Sequence, residues 1–286
     1  MLTYAVRMES AEAASADATI AIAVLTYNRV HLLRQCVENV LLRTSDATRE
    51  IVIWDNGSTD GTREYLSTIT DPRIDVVLSD ENVGFNGYPR AFARTTAPLM
   101  IQLDDDVTDA PQDWDRTLRD AFLAVPDLGF LAADLVDDYN DLTSRYRHHI
   151  RPHEYTEHVE NGVRLLSGPS GSYCAMTSRA LNEEIGGFKE REGEIFWLED
   201  TAYIQQIEAA GRSAATCADL VVHHTGGAFY AEVPEAKTEF WDNYWAEHRR
   251  REAIKRTLYR LPFVARLNAR RNWFVPPEKV SSAPEA

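Results

Sequence analysis

Four short apolar runs, each ending in a polar loop, constrain the fold of this chain more than any other feature. Ile20-Ala-Ile-Ala-Val-Leu-Thr26 holds nothing charged, the pattern of a strand covered on both faces. It ends at Tyr27-Asn28-Arg29, after which Leu32, Leu33, Cys36, Val37, Val40 and Leu41 recur at helical spacing. Glu50 to Asp55 is a second run, broken by Asn56-Gly57-Ser58, and Thr59 or Asp60 then stands ready to cap a helix. Ile74 to Leu78 is a third, with a short helical stretch following from Tyr88 to Thr95. Leu99 to Leu103 is the fourth, and it runs straight into Asp104-Asp105-Asp106. Strands alternating with helices predict an α/β fold of βαβ units, a mostly parallel central sheet flanked by helices. Beyond it, Trp114 to Ala124 reads as a helix and Leu128 to Leu135 as a strand. A helix from about Glu199 to Ala210, stopped by Gly211, and a last strand from Ala214 to His223 complete the reading.

Charge and composition narrow what such a fold can do. The 286 residues carry 30 basic and 45 acidic side chains, a net charge of −15, which argues against nucleic acid as a partner. No apolar run reaches the roughly 18 residues that cross a bilayer, and residues 1–17 read as a flexible tail without the marks of a secretion signal. Cys36, Cys174 and Cys217 are far apart and lack C-x-x-C spacing, which fits a reducing cytoplasm. The charge is unevenly spread: the last 48 residues, from Glu239, sum to +4 and the rest to −19. Three parts follow: the tail 1–17, a catalytic domain 18–235 and a basic, aromatic helical C-terminal extension 236–286. In the extension Phe240, Trp241, Tyr244, Trp245, Ile254, Leu258 and Leu261 share one wide helical stripe, with Arg249, Arg250, Arg256 and Arg260 opposite. Such a helix either packs its aromatics on the catalytic body or rests on an anionic membrane as a peripheral contact.

In an open α/β sheet, ligands sit beyond the carboxyl ends of the strands. Here those ends carry Thr26-Tyr27-Asn28-Arg29, Asp55-Asn56-Gly57-Ser58 and Asp104-Asp105-Asp106, with neither a dinucleotide fingerprint nor a P-loop. Three adjacent carboxylates repel one another, and a divalent cation among them relieves that repulsion. Asp104 and Asp106 share a side of an extended segment, and their hard oxygens suit Mg²⁺ or Mn²⁺ bridging a diphosphate. A solvated acidic loop would show the same residues. Glu199-Asp200 opens a helix, where the dipole alone favours carboxylates; fixed beside a metal, either could instead take a proton from a bound hydroxyl. The segment Arg147-His-His-Ile-Arg-Pro-His153, with His158 beyond, reads as an acceptor-side loop rather than a metal site.

Taken in order, the motifs resemble glycosyltransferase family 2, the inverting enzymes of GT-A fold. The pieces are Ala23 to Arg29, Asp55-Asn-Gly-Ser-Thr-Asp-Gly-Thr62, Asn82-Val-Gly-Phe85, Leu103 to Asp106, Gly168 to Cys174, Ile185-Gly-Gly-Phe188, Glu199 to Tyr203 and His223-His-Thr-Gly-Gly227. They span most of the chain and imply a GT-A-type nucleotide-diphospho-sugar transferase fold for residues 18–235. The resemblance places Thr26, Tyr27, Asp55 and Asn82 on the base and ribose of a UDP- or dTDP-sugar, with Asp55 accepting from the base. Asn28, Asn56, Gly84 and Asp105 fall in the same nucleotide-binding loops. Asp104 and Asp106 fall on the D-x-D motif, Asp106 being the direct ligand of Mn²⁺ or Mg²⁺. His224 or His223 supplies a further metal or diphosphate contact, the H-x-G-G spacing favouring His224. Asp200 falls on the general base for an acceptor hydroxyl, with Glu199 the alternative. Two positions depart from the family pattern: Arg90 replaces a common Asn and meets either a phosphate or a surface carboxylate, and Ala202 replaces a common acidic residue. Envelope glycans, lipid-linked glycans and glycosylated natural products are the products such an enzyme would serve. The rivals are a nucleotide-sugar-binding partner subunit without catalysis and a sugar-nucleotide pyrophosphorylase.

Overall fold

The computed structural model describes residues 18–136, 152–195 and 197–225, together with residues 243, 246, 250, 253, 254, 257 and 258. The chain divides into two compact units, Met1–Ala231 and Glu232–Ala286. In the first, β1 (Ile20–Thr26) lies between β2 (Thr48–Asp55) and β4 (Leu99–Asp104), parallel to both, and β3 (Ile74–Leu78) is parallel outside β2. Beyond β4 the order continues through β9 (Cys174–Ser178), β6 (Leu128–Leu135), β10 (Ser213–His224), β8 (Val163–Ser167) and β7 (Thr156–Glu160). A short β5 (Val107–Asp109) pairs antiparallel with the end of β10. Seven of the ten strands run one way; β5, β8 and β9 run the other.

The sheet is apolar on both faces because its central strands alternate between two cores. Ile20, Ile22 and Val24, Ile51 and Ile53, and Ile101 and Leu103 face one side. There they meet Leu33, Cys36, Val37 and Val40 of α1 (Val30–Arg43) and Trp114, Leu118 and Phe122 of α4 (Trp114–Ala124). Ala23, Val52 and Met100 face the other, against Tyr88, Ala91 and Phe92 of α3 (Gly87–Phe92). Burying one such side chain contributes about 1.5–3 kcal/mol, so the two-sided pattern fixes register as well as stability. The second face also receives α6 (Glu199–Ala209), which follows the short α5 (Arg179–Glu184) and whose Tyr203 stacks on Phe188 at 4.0 Å while Phe188 stacks on Phe92 at 5.5 Å.

The expected elements are present with small shifts. The helix at Trp114 and the strand at Leu128 have the anticipated limits. The short α2 (Thr62–Leu66) begins after Gly61, and Asp60 serves it through a 3.1 Å bond from the Thr62 amide. The last strand reaches one residue further, to His224, because β5 pairs with its end. Residues 243, 246, 250, 253, 254, 257 and 258 of the second unit are helical and exposed, Ile254 and Leu258 included. Expectations for residues 1–17, the histidines at 148 and 149, and Phe240, Trp241, Tyr244, Trp245, Arg249, Arg256, Arg260 and Leu261 lie outside the described residues. Among the described residues no helix is long and apolar enough to cross a membrane.

Candidate active site

The site forms where β4 stops. Asp104, Asp105 and Asp106 carry the chain from β4 into β5, and β5 pairs with the end of β10, setting His224 opposite Val107. The Thr225 amide donates to the Asp106 carbonyl at 2.9 Å and closes the junction. Two segments almost 120 residues apart are thereby joined by backbone pairing rather than by side-chain chance. Tandem histidines on a strand point to opposite sides, and the structure separates them accordingly. His223 Nδ1 lies 2.9 Å from Thr108 Oγ1, whereas His224 Nε2 lies 3.0 Å from Asp106 Oδ1 and 3.5 Å from Asp104 Oδ2.

One ligand atom each from Asp104, Asp106 and His224 falls within 4.8 Å of the others. Asp106 Oδ1 and His224 Nε2 answer each other, while His224 Nδ1 is buried without a hydrogen-bond partner. Buried polar atoms are rarely left so. Two carboxylates and an imidazole are a donor set for a hard or borderline divalent ion, and these residues fit Mn²⁺ or Mg²⁺. Burial opposes charge on His224, but Asp106 and Asp104 outweigh it and raise the imidazole to about 10. Burial likewise pushes Asp106 up, yet His224 and Arg29 reverse this and hold its carboxyl well below the usual range.

The three aspartates differ in their surroundings. Asp105, expected near the nucleotide, is fully buried: Oδ2 accepts from Thr26 Oγ1 at 2.7 Å and Oδ1 from Arg29. Burial, the largest influence on it, pushes its pKa up against the pull of Arg29. Arg29 also donates to Asp106 Oδ2 at 2.9 Å, so one guanidinium spans two buried carboxylates. Asp104 is partly exposed and accepts from the Tyr88 hydroxyl at 3.0 Å. Thr26, expected on the nucleotide, is thus spent on Asp105.

The remaining nucleotide-loop residues are fastened to one another. Asn28, in the left-handed region at φ 52°, accepts from the Thr59 amide at 2.7 Å while its own amide donates to Ser58 Oγ at 2.8 Å. Asp55, expected to meet the base, is fully buried and accepts from the Ser58 amide at 3.1 Å and from Arg63 Nε at 3.0 Å. Asn56 accepts from the Val83 amide at 3.3 Å and donates to the Gly84 carbonyl at 3.2 Å. Asn82 accepts from the Gly84 amide at 2.8 Å. Gly84 holds φ 58°, and a Cβ there would lie 1.8 Å from the Ile195 carbonyl, so glycine is what lets the 191–195 loop approach. Tyr27 is half-buried at the rim. Arg90 pairs with Glu190 at 2.9 Å, the surface carboxylate of its two alternatives.

Glu199 and Asp200 begin α6 on the side of the sheet that carries Tyr88. Burial and then the charge of Asp200 raise the Glu199 carboxyl well above the ordinary range, with Asp104 adding to the effect. Ser172 Oγ donates to Glu199 Oε1 at 3.3 Å. Asp200 is buried and accepts from the Thr201 amide at 2.5 Å. Glu199 lines a cavity with Tyr88, whose hydroxyl reaches Asp104, so Glu199 and the aspartate turn share one neighbourhood. Tyr88, Arg29 and Gln102 were missed as site residues. Gln102 had a signal, because period-two alternation puts it on the side of Asp104; Tyr88 and Arg29 are placed by tertiary packing.

Comparison with known proteins bears on the family and the fold. The sequence profile of glycosyl transferase family 2 matches residues 21–186, more than half of the chain. An uncharacterised protein of Sinorhizobium fredii is 22% identical over 240 residues, covering 77% of this chain and 26% of that protein. Among solved structures, the mannosyltransferase PcManGT of Pyrobaculum calidifontis, in complex with GDP-Man and Mn²⁺, is similar with TM-score 0.52 and 23% identity, over 73% of this chain and 57% of that one. GalNAc-T7 with UDP, GalNAc and Mn²⁺ gives TM-score 0.57 at 13% identity, over 72% and 43%. The chain thus spans about a quarter of the curated relative's length and about half of the solved ones; these likenesses establish a GT-A fold.

Proposed function

The chain belongs to glycosyl transferase family 2, and we propose that it is a metal-dependent, inverting glycosyltransferase. It moves a sugar from a nucleotide diphosphate, UDP- or dTDP-linked, to an acceptor hydroxyl in glycan or glycosylated natural-product synthesis. The observation that carries this reading is the convergence of Asp104, Asp106 and His224, close enough to Glu199 for the charge of Asp104 to be felt there. Asp104, Asp106 and His224 would hold Mn²⁺ or Mg²⁺, and such an ion supplies Lewis-acid stabilisation of the departing diphosphate.

The protein's own groups do the rest. Arg29 offsets the charge of Asp105 and Asp106, so that their carboxylates can stand buried side by side. Asp200 takes the proton of the acceptor hydroxyl as its oxygen attacks C1. The bond from C1 to the phosphate oxygen breaks as the new bond forms on the opposite face, and the nucleoside diphosphate leaves with the bonding pair. Glu199 is the second reading for the base, favoured by its place in the cavity wall and its raised pKa. The cytoplasm is the proposed location.

Turnover of a sugar nucleotide with Mn²⁺ tests the assignment. A positioned base contributes about 10²–10⁴ in rate, so Asp200→Asn should lose that much in kcat while nucleotide and Mn²⁺ still bind. Glu199→Gln should lose far less. If the two losses are reversed, Glu199 is the base; wild-type turnover in both removes the acidic pair from the chemistry. A partner subunit would instead show no donor hydrolysis at all.

A further inference from the structure

β10 loses its main partner just before it delivers His224. Its parallel ladder with β6 ends at Val222, opposite Leu135, and the last two residues lean on β5 instead. That second ladder is irregular: His223 lies opposite Asp109 and His224 opposite Val107, so two steps of β5 meet one step of β10. Thr108 is the extra residue of this bulge. An extra residue has no partner across the ladder and bends its strand, so backbone pairing holds this corner less firmly than a regular ladder would. β5 itself is fastened just beyond, where Arg43 at the end of α1 donates to the Ala110 carbonyl at 3.0 Å and pairs with Asp109 at 3.3 Å.

The Thr108 side chain supplies what the ladder lacks. Its hydroxyl lies 2.9 Å from His223 Nδ1 and 3.1 Å from Thr225 Oγ1, the residues on either side of His224. Residues 223 and 225 share one side of an extended segment and His224 takes the other, so Thr108 grips the strand from behind the metal ligands. A hydroxyl carries one hydrogen and two lone pairs, and it donates to one neighbour while accepting from the other. One chain of bonds through Thr108 thereby spans the residue whose imidazole stands 3.0 Å from Asp106. The Thr225 amide, bonded to the Asp106 carbonyl at 2.9 Å, ties the same corner to the aspartate turn.

We propose that Thr108 is a positioning residue for His224. Its hydroxyl, bonded to both chain neighbours of that histidine, sets where the imidazole stands against Asp104 and Asp106 and so how tightly the three hold a divalent cation. Both bonds go to residues outside the proposed donor set, so Thr108 acts through the strand. A working site needs its donors held within about 0.5 Å, which an unbraced bulge does not provide. The inference rests on the metal site of the glycosyltransferase reading and deepens it. Removing the outer partners of metal ligands weakens binding by about 10–100-fold, and Thr108, which works through the backbone rather than the ring, belongs at the lower end.

Titration calorimetry of the full chain with Mn²⁺, beside the Tm of the metal-free protein, tests the role. Thr108→Val keeps the branching of the side chain and removes the hydroxyl, and it should weaken Mn²⁺ binding about tenfold. Thr108→Ser keeps the hydroxyl and should bind within about twofold of the wild type. Asp60→Ala, which removes a helix cap in the loop after β2, is the control for lost stability: its Tm should fall with Mn²⁺ affinity unchanged. Should Thr108→Val not fold, Thr225→Val removes one of the two bonds and leaves the Thr225 amide in place, and it should still bind more weakly than the wild type. Wild-type affinity in the valine variant that folds, or an equal loss in Thr108→Ser and Thr108→Val, overturns the positioning role. The glycosyltransferase reading survives that result as long as the wild type binds Mn²⁺. A wild type that takes up no Mn²⁺ removes the metal from that reading, and the role of Thr108 with it.

Discussion

Along the parallel edge of the sheet, the loops after β1 and β2 spend their polar side chains on one another and on the loop after β3. Asn28 ties to residues 58 and 59, Asp55 to Ser58 and Arg63, and Asn56 to Val83 and Gly84. Where β4 and β10 end, the pattern differs: His224 Nδ1 and Gln102 Nε2 are buried without a hydrogen-bond partner, and Asp106 Oδ1 and His224 Nε2 answer each other at 3.0 Å. Both regions come from the same kinds of residue at strand ends. The difference teaches that the first region is a finished platform, shaped before any ligand arrives, whereas the second keeps unmet hydrogen-bonding capacity where ligands would supply it. Such capacity costs stability; it also occurs at Asn39 and Trp114, in α1 and α4, and what marks this place is its coincidence with two carboxylates and an imidazole.

Arg29 stands on the border and gives the largest test of this contrast. Its guanidinium answers both Asp105 and Asp106, which are 0% and 1% exposed, while Arg29 itself is 28% exposed. Arg29→Met leaves the buried Asp105 without a counter-ion and Asp106 with His224 alone, a loss of about 3 kcal/mol. For a domain of this size that is a fall in Tm of roughly 6–12 °C, and Mn²⁺ should recover part of it by supplying positive charge to Asp106. Calorimetry with and without the metal checks both. A Tm within about 2 °C of the wild type would show that the two regions share no electrostatic border.

How far the sequence disclosed this division follows from the range of the interactions. The strands, the helices on either side and the aspartate turn are local patterns, and alternation in Ile20, Ile22 and Val24 against Ala23 already announces two buried faces. The acidic pair at the start of α6 and the H-x-G-G segment were legible for the same reason. What each loop residue touches was not. Thr26 and Asp105 sit 79 positions apart and form one hydrogen bond, and Asn86 reaches over 100 positions to Arg191. A polar residue at a strand end reads alike whether it holds a ligand or another loop, and only packing decides between them. Tyr88 shows the same limit, for nothing in its neighbours tells that its hydroxyl meets Asp104.

The open region can be probed by pH. In the metal-free protein His224 is raised to about 10 from its ordinary value near 6.5, so it carries a proton at neutral pH. Its pairing with Asp106 therefore stabilises the fold fully below about 6.5 and is lost as pH rises through about 10. A metal taking Nε2 must displace that proton. Apparent Mn²⁺ affinity should then climb roughly tenfold per pH unit between about pH 6.5 and 8.5, equivalent to about 1.4 kcal/mol per unit. His224→Gln should bind more weakly and flatten the slope, as titration calorimetry in two buffers would show. A flat wild-type profile would mean that His224 stays off the metal.

The platform offers the smallest and most local test. Asp60 is bound at both ends: Oδ2 accepts from the Val30 amide at 2.9 Å, at the start of α1, and Oδ1 from the Thr62 amide and hydroxyl at 3.1 and 2.6 Å, at the start of α2. One carboxylate thus closes the N-termini of two helices that follow different strands, and these bonds hold its carboxyl below the usual range against modest burial. Asp60→Ala should cost about 1 kcal/mol, the loss of a cap, with Mn²⁺ affinity unchanged because the metal residues lie in the other region. By the same sign, the stability that Asp60 adds is present at neutral pH and fades as pH falls through its depressed value, whereas Asp60→Asn should lose most of that pH dependence. Urea denaturation at neutral and acidic pH separates these outcomes. A change in metal affinity on capping loss would join the platform to the catalytic side and erase the distinction between them.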